Sequence, residues 1–170
     1  MKSKENIVFL GMMGSGKTTI GSLVSKKLHL DFFDTDQLIE KELNMKISKI
    51  FETKGEKFFR KIEERITLET LKKDGIILSI GGGAFLNNNI RREILNNHLS
   101  FWLKWDKKIL INRIKKSYKR PLASKATNYE LVDLIKKRSN IYSKALFRIN
   151  CDNLSKQELV NKILDIYETH

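Results

Sequence analysis

The sequence contains very few of the residues that build disulfide frameworks, metal centres or rigid linkers. Among its 170 residues there are one cysteine, one proline and three histidines. The single cysteine, Cys151, cannot form an internal disulfide, and with His29, His98 and His170 it makes no metal-ligand spacing. These shortages argue against a disulfide-stapled domain and a zinc centre, and they favour structural or surface roles for all four side chains.

Long apolar runs are absent as well. No stretch reaches the roughly 18 apolar residues that a membrane-spanning helix needs. The N-terminal apolar run, Ile7 to Leu10, is too short for the core of a signal peptide. We therefore expect a cytoplasmic protein without a membrane partner. With 41% hydrophobic residues, the chain is long enough for one buried core and short for two, so we expect a single domain over residues 1–170. We also expect a monomer.

Acidic residues are scarce relative to basic ones, and this imbalance is local. The formal net charge is +13, and the segment Lys104 to Arg148 has 14 Lys and Arg against 3 Asp and Glu, so the rest of the chain carries only +2. Clustered cations can bind nucleic acid or attract small, multiply charged anions. Because the segment has no aromatic-interleaved stacking pattern and no recognisable nucleic-acid module, we favour small anions such as a nucleoside triphosphate and expect no nucleic-acid partner.

The sequence does have a complete phosphate-binding motif. Residues Gly11 to Thr18, GMMGSGKT, match G-x-x-x-x-G-K-[ST] directly after the apolar run. Glycines allow the backbone to curl around an anion so that its N–H groups point at phosphate oxygens. Lys17 adds a charge for the β- and γ-phosphates, and the Thr18 hydroxyl is placed to ligate Mg²⁺. Apolar residues at helical spacing predict a helix from Thr19 to Leu28, with its positive end toward the phosphates.

Short apolar runs alternate with helical patterns along the whole chain. The predicted strands are Ile7 to Leu10, Phe32-Phe33, Ile76 to Ile80, Leu99 to Leu103 and Phe147 to Asn150. This alternation predicts an α/β parallel sheet with helices on both faces. Capping-box patterns at Thr127-x-x-Glu130 and Ser155-x-x-Glu158 predict two helix starts. The polar stretch Lys115 to Asn128, which holds the only proline, is typical of a lid.

Two carboxylates follow a predicted strand. Asp34-Thr35-Asp36 comes directly after Phe32-Phe33, at the strand end where ligands of open α/β sheets bind. One carboxylate can face Mg²⁺ and the other a substrate hydroxyl, as a phosphoryl acceptor site requires. The alternative is that Asp34 or Asp36 only caps a helix over Gln37 to Leu43.

Two further motifs are candidates for ligand binding. In Gly55 to Glu63, the spacing places Glu56, Arg60 and Glu63 on one helical face. An arginine held between two carboxylates can grip an external carboxylate with both prongs, although a surface ion-pair ladder is the alternative. Gly81-Gly82-Gly83 follows a strand, which favours close backbone approach to a ligand.

Two more arginines are candidates for anion binding. Arg120 lies in the predicted lid, where closure could bring its charge to a transferring phosphoryl group. Arg138, four residues before Tyr142 on a predicted helix, could grip a second anionic group or could be an ordinary surface residue.

In order and spacing, these motifs resemble one family, the shikimate kinases, over nearly the whole chain. They are GMMGSGKT, DTD at Asp34 to Asp36, GExxFRxxE at Gly55 to Glu63, GGG at Gly81 to Gly83, RPL at Arg120 to Leu122, and RxxxY at Arg138 to Tyr142. The resemblance implies a three-layer αβα P-loop kinase fold with a five-stranded parallel sheet in order 2-3-1-4-5. It also implies a helical substrate-binding segment at residues 37–71 and a lid at residues 115–128.

The resemblance implies an activity and residue roles. The reaction is transfer of the γ-phosphoryl group of ATP to the 3-hydroxyl of shikimate, giving shikimate 3-phosphate and ADP in aromatic amino acid biosynthesis. The implied ATP-binding residues are Gly14, Ser15, Gly16, Lys17, Thr18, Thr19, Arg113 and Arg120, with Arg113 stacked on adenine. The implied shikimate-binding residues are Asp36, Arg60, Gly82, Gly83 and Arg138. Thr18 and, through water, Asp34 would hold Mg²⁺, and the implied catalytic residues are Lys17, Asp36 and Arg120.

Two other interpretations stay open from the residues alone. The phosphate loop and the lid do not name the acceptor, so a gluconate-type or other small-metabolite kinase is one alternative, which the GExxFRxxE and GGG motifs disfavour. The other is an RNA-binding P-loop protein that uses its basic segment and hydrolyses nucleotide as a switch. Salt-sensitive RNA binding stronger than shikimate binding would favour it.

Overall fold

A parallel sheet lies at the centre of the computed structural model, which describes residues 5–116 and 126–170. Its five strands are ordered β2-β3-β1-β4-β5, and neighbours pair in parallel. The strands are β1 (Ile7–Leu10), β2 (Asp31–Asp34), β3 (Ile76–Ser79), β4 (Leu99–Lys104) and β5 (Phe147–Asn150). The predicted class and strand order are confirmed. The strand bounds differ from the prediction by one residue at one or both ends of β2, β3 and β4.

Helices follow the strands in the expected alternation. They are α1 (Lys17–Leu28), α2 (Thr35–Leu43), α3 (Ile47–Leu71), α4 (Asn88–Asn97), α5 (Lys107–Lys115), α6 (Asn128–Tyr142) and α7 (Lys156–Thr169), with a 3₁₀ turn at Ala84–Leu86. Two predicted helix starts were wrong by two residues. The first helix begins at Lys17 because Gly16 itself is the N-cap, and α2 begins at Thr35 because the Asp34 carboxylate accepts the N–H groups of Asp36 and Gln37.

Alternate residues of the buried strands supply the two faces of the sheet. In β1, Val8 and Leu10 pack into a core with helices α4, α5 and α6, whereas Ile7 and Phe9 pack into a second core with α1 and α7. The sheet is therefore the middle layer of three. Both predicted capping boxes are present, at the starts of α6 and α7.

Helices α2 and α3 form a third apolar cluster of their own, beside the sheet. Ile39 of α2 is buried against Ile50, Phe59 and Ile66 of α3. Within α3 the chain kinks at Gly55, whose φ of 79° lies in the left-handed region. The predicted substrate-binding segment, residues 37–71, therefore corresponds to a packed helical pair, while its assignment to substrate binding stays a prediction.

Because the strands are parallel, their carboxyl ends all lie at one edge of the sheet, where open α/β folds bind ligands. The phosphate loop follows β1, the three glycines follow β3 and Trp105 follows β4. The predicted lid falls mostly outside the described residues, as do Arg120 and Pro121. In the part of the chain that the structure covers, no helix is both long and apolar enough to span a membrane.

Candidate active site

The phosphate loop begins the site. Gly14 and Gly16 both have positive φ, 77° and 90°, which a residue with a side chain would adopt only under strain. Gly16 also serves as the N-cap of α1, so the loop runs directly into the N-terminal end of the helix, the end that favours an anion. This backbone is suited to binding phosphate groups.

Lys17 is held against the loop that precedes it. Its Nζ atom donates hydrogen bonds to the carbonyl oxygens of Gly11, at 2.8 Å, and Met12, at 3.0 Å. The residue is 8% exposed, although it carries a charge. The lysine charge is therefore fixed beside the amides that would receive the phosphates.

Thr18 and Asp34 meet at the entrance of the loop. The Thr18 hydroxyl donates to Oδ2 of Asp34 at 2.6 Å, while Oδ1 of the same carboxylate caps α2. Both interpretations of Asp34 from the sequence are thus compatible with its position. A hydroxyl and one carboxylate suit Mg²⁺, which takes few protein ligands together with phosphate oxygens and water. Within residues 5–116 and 126–170 no group of three or more His, Cys, Asp or Glu could hold a metal by itself.

The three glycines lie under four charged side chains. A Cβ atom placed on Gly81 would come within 2.6 Å of Oε1 of Glu63 and 3.0 Å of Oδ1 of Asp36. A Cβ on Gly82 would lie 3.2 Å from Nη1 of Arg138, and one on Gly83 would collide with the Arg60 guanidinium. A side chain at Gly81 or Gly83 would displace these groups, so the turn and the helices bring together residues that are distant in sequence.

Arg60 is held by the two carboxylates of its own helix. Its Nη1 lies 2.6 Å from Oε2 of Glu63, and its Nη2 lies 3.2 Å from Oε1 of Glu56. Burial lowers the pKa of Arg60, but the charges of Glu63 and Glu56 outweigh burial and the net pKa is raised. Since Glu56 is exposed and Glu63 is only 2% exposed, the pair with Glu63 anchors the guanidinium from the interior.

Glu63 is the electrostatic centre of this group. Burial raises the pKa of Glu63, the charges of Arg60 and Arg138 lower it, and the nearby charge of Asp36 raises it again, with a net shift upward. All three predicted acceptor side chains therefore lie close enough to act on one buried carboxylate. The sequence indicated Glu63 only as one of two carboxylates beside Arg60, either holding it for ligand binding or forming a surface ladder.

Two polar residues hold the glycine turn, and the sequence assigned neither of them to the site. The N–H of Gly81 donates to the buried Thr35 hydroxyl at 3.0 Å. The buried Tyr142 hydroxyl donates to the carbonyl oxygen of Gly82. Thr35 separates the two carboxylates of the DTD motif, and Tyr142 lies one helical turn beyond Arg138. Their place inside motifs was the signal that could have found them.

On the nucleotide side, Arg113 of α5 lies over the ring of Trp105, with 3.6 Å between its Cζ atom and the ring centroid. The Trp105 indole N–H donates to the carbonyl oxygen of Ser15 in the phosphate loop at 2.9 Å. Arg113 was expected from the resemblance, whereas Trp105 was missed. Thr19, also expected near ATP, lies exposed in the first turn of α1.

The fold and the phosphate loop define the class of this protein. It is a P-loop phosphotransferase, with the loop and a group of charged side chains at the carboxyl edge of one parallel sheet. A family model described as Shikimate kinase matches residues 13–168.

Relatives and solved structures agree with the family model. The shikimate kinase of Bacillus subtilis (strain 168) is 42% identical over 170 residues, which cover 95% of this chain and 88% of the relative. That of Bartonella quintana (strain Toulouse) is 38% identical over 162 residues, covering 95% and 77%. The solved structure of shikimate kinase from Acinetobacter baumannii in complex with shikimate has a TM-score of 0.91 and 29% identity, covering 98% of this chain and 94% of that chain. The chain belongs to the shikimate kinase family and is an ATP-dependent kinase, so the resemblance found in its sequence is confirmed.

Proposed function

We propose that this chain transfers the γ-phosphoryl group of ATP to the 3-hydroxyl of shikimate, giving shikimate 3-phosphate and ADP. The observation that carries the proposal is the convergence of Asp36, Arg60 and Arg138 on the glycine turn. One carboxylate and two guanidinium groups are what an acceptor with both a hydroxyl and a carboxylate requires. The relative from A. baumannii, solved with shikimate bound, supports the same acceptor.

Arg60 and Arg138 would bind the carboxylate of the acceptor. Each guanidinium lies against one glycine, Arg138 against Gly82 and Arg60 against Gly83, so the two charges lie over consecutive residues of the chain. The amides of Gly82 and Gly83 would contact the acceptor ring between them. A planar guanidinium pairs with a carboxylate through two parallel hydrogen bonds, which fixes orientation as well as charge.

Asp36 would orient the acceptor hydroxyl. It lies in the first turn of α2, and its Oδ1 atom lies close to Gly81. Asp34, two residues earlier, accepts a hydrogen bond from Thr18 of the phosphate loop, so Asp36 lies between the loop and the glycine turn. The carboxylate would accept the hydroxyl proton as the oxygen attacks the γ-phosphorus, and the bond to the β-γ bridging oxygen breaks to release ADP. Positioning and charge stabilisation are the main contributions of an enzyme to phosphoryl transfer.

The phosphate side would act through the backbone and Lys17. The amides of Gly14 to Thr18 and Thr19 would bind the phosphate oxygens, and Lys17 would contact the β- and γ-phosphates. Thr18 directly, and Asp34 through water, would hold Mg²⁺. The bound ion would neutralise charge on the β- and γ-phosphates. Arg120 would close over the phosphates, and residues 115–128 would form the lid. A single domain over 1–170, a monomer and a cytoplasmic location also stay predictions.

A panel of acceptors tests the function. Purified protein is mixed with ATP, MgCl₂ and shikimate, quinate, gluconate or no acceptor, and ADP release is followed. We expect release with shikimate to exceed the others by at least about tenfold, since rejecting an analogue whose polar groups fit poorly costs more than about 1.4 kcal/mol. Phosphorus–proton coupling in the product then identifies the esterified hydroxyl. Equal release with every acceptor, or release that RNA stimulates and salt suppresses, would contradict the proposal.

A further inference from the structure

Trp105 lies outside every motif of the sequence, yet it contacts two parts of the nucleotide side. The residue comes directly after β4 and is half-buried between the two cores. Its indole N–H donates to the Ser15 carbonyl oxygen at 2.9 Å, across 90 residues of sequence. Because this carbonyl belongs to the phosphate loop, the indole holds the loop backbone in place.

The other contact of Trp105 is with Arg113. The 3.6 Å between the Arg113 Cζ atom and the ring centroid is a stacking distance, well inside the roughly 6 Å range of a cation–π contact. An arginine stacked on an aromatic ring keeps its guanidinium plane parallel to that ring. Arg113 is exposed, so the opposite face of the plane is accessible from solvent.

The turn after β5 lies beside this stack. The N–H of Asp106, the residue after Trp105, donates to Oδ1 of Asp152 at 2.6 Å. Burial and the charge of Asp152 raise the pKa of the Cys151 thiol to about 12, while the charge of Arg113 acts in the opposite direction. The segment after β4, which includes Trp105, is therefore joined to the turn after β5 by a hydrogen bond.

We propose that Trp105 is a positioning residue for the nucleotide, which fixes the phosphate loop through Ser15 and fixes the plane of Arg113 so that its outer face stacks on the purine base. The bound state is then a three-layer stack of indole, guanidinium and base. The inference rests on the proposed function, because it takes Arg113 as the residue that contacts adenine.

Two substitutions separate the two contacts of Trp105. Trp105→Phe keeps an aromatic face for Arg113 but loses the hydrogen bond to Ser15, whereas Trp105→Leu loses both. ADP reports on the base and the phosphates together, and inorganic pyrophosphate reports on the phosphate loop alone. Arg113→Ala serves as the reference variant because it removes the stacking plane itself.

Titration calorimetry with the full chain measures the dissociation constants. We expect Trp105→Phe to weaken ADP and pyrophosphate alike, by about 2- to 12-fold, as for loss of one hydrogen bond. Trp105→Leu should weaken ADP by a further roughly 2- to 5-fold without a further change for pyrophosphate. Shikimate affinity should not change in either variant.

Fluorescence gives a second measurement that a merely structural role would not change. The chain has two tryptophans, so Trp102→Phe leaves Trp105 as the only one. In that background ADP should alter the emission of Trp105 more than pyrophosphate does, and adding Arg113→Ala should abolish the excess. If Trp105→Leu does not fold, the emission changes and the affinities of Trp105→Phe test the positioning role.

The outcomes distinguish the inference from the function on which it rests. If Arg113→Ala lowers ADP affinity relative to pyrophosphate but Trp105→Leu behaves as Trp105→Phe does, the positioning role is wrong and the nucleotide site stands. Equal emission changes with ADP and pyrophosphate would also overturn the role. If Arg113→Ala leaves the ratio of the two affinities unchanged, the assignment of Arg113 to the base is itself wrong.

Discussion

The proposed phosphate side of the site offers mostly backbone amides for binding, and the proposed acceptor side offers mostly charged side chains. The loop around Gly14 and Gly16 presents amides that are fixed by the turn, with Lys17 as one added charge. Around the glycine turn, Arg60, Glu63 and their neighbours contact one another. Most side-chain substitutions leave a binding surface of backbone amides unchanged. In a set of paired charges, by contrast, replacing one side chain alters the position and the charge environment of the others.

The largest expected effect is at the boundary between the two sides. Asp36→Asn should lower kcat by about 10²- to 10⁴-fold, because an amide can still hydrogen-bond the acceptor hydroxyl but cannot take its proton. ATP affinity should change little. Steady-state kinetics at saturating ATP and shikimate measure the loss, with Asp34→Asn as the matched variant. If both variants show the same dependence on Mg²⁺ and the same acceptor affinity, the division of labour between the two carboxylates is wrong.

On the phosphate side, Lys17→Ala should lower turnover by about 10²- to 10³-fold, as for removal of one group that stabilises charge in a transition state. Two hydrogen bonds join the Lys17 side chain to carbonyl oxygens of its own loop, and the apolar cores do not include it, so the fold should persist. Circular dichroism checks the fold and ADP release measures turnover. Turnover near that of the parent chain in a folded variant would contradict the phosphate site.

On the acceptor side, Gly83→Ala tests whether the guanidinium over the turn matters. The added Cβ atom would collide with Arg60, whereas in Gly82→Ala it would lie 3.2 Å from Arg138, a contact that a small shift relieves. We expect Gly83→Ala to weaken shikimate binding by roughly 10- to 100-fold, about the value of one charged hydrogen bond, and Gly82→Ala to weaken it less. Calorimetry with shikimate measures both, and an equal loss in the two variants would argue against this geometry.

The smallest expected effect concerns pH. Burial raises the pKa of Glu63, so as pH falls this carboxylate takes up its proton earlier than an ordinary glutamate and then anchors Arg60 less well. Shikimate affinity should therefore fall on the acid side by up to about tenfold, beginning above the usual range for Glu. Glu63→Gln should bind shikimate at neutral pH as weakly as the parent does in acid, and the two should converge at low pH. If shikimate affinity depends on pH in the same way in the parent chain and in Glu63→Gln, then Glu63 is not the group whose protonation lowers the affinity.

The sequence predicted some parts of the fold and of the candidate site better than others. The alternation of apolar runs predicted a parallel sheet, because buried parallel strands need continuous apolar residues, whereas the strand order came from the family resemblance. Helix starts were less accurate: α2 begins at Thr35 because the Asp34 carboxylate acts as a cap, a contact that spacing alone does not specify. Arg60 and Arg138 were identified through the family resemblance, since on spacing alone each could have been a surface residue.

Contacts between distant segments could not be predicted from spacing. The pairing of Trp105 with Ser15 joins residues 90 positions apart, and that of Tyr142 with Gly82 joins residues 60 positions apart. Both pairs depend on how helices and loops pack over the sheet. The central position of Glu63 likewise depends on burial, which the helical pattern around Arg60 did not reveal.

One measurement tests most directly the separation of the site into two sides: the affinities of Arg60→Lys for shikimate and for a non-hydrolysable ATP analogue. Lysine keeps the charge but loses the two-pronged geometry that matches a carboxylate, and Glu56 and Glu63 would hold a flexible ammonium poorly. We predict a loss of roughly 10- to 150-fold for shikimate and less than about twofold for the ATP analogue. An equal loss for both ligands, or none for shikimate, would mean that Arg60 belongs to a structural ladder and that the acceptor carboxylate binds elsewhere.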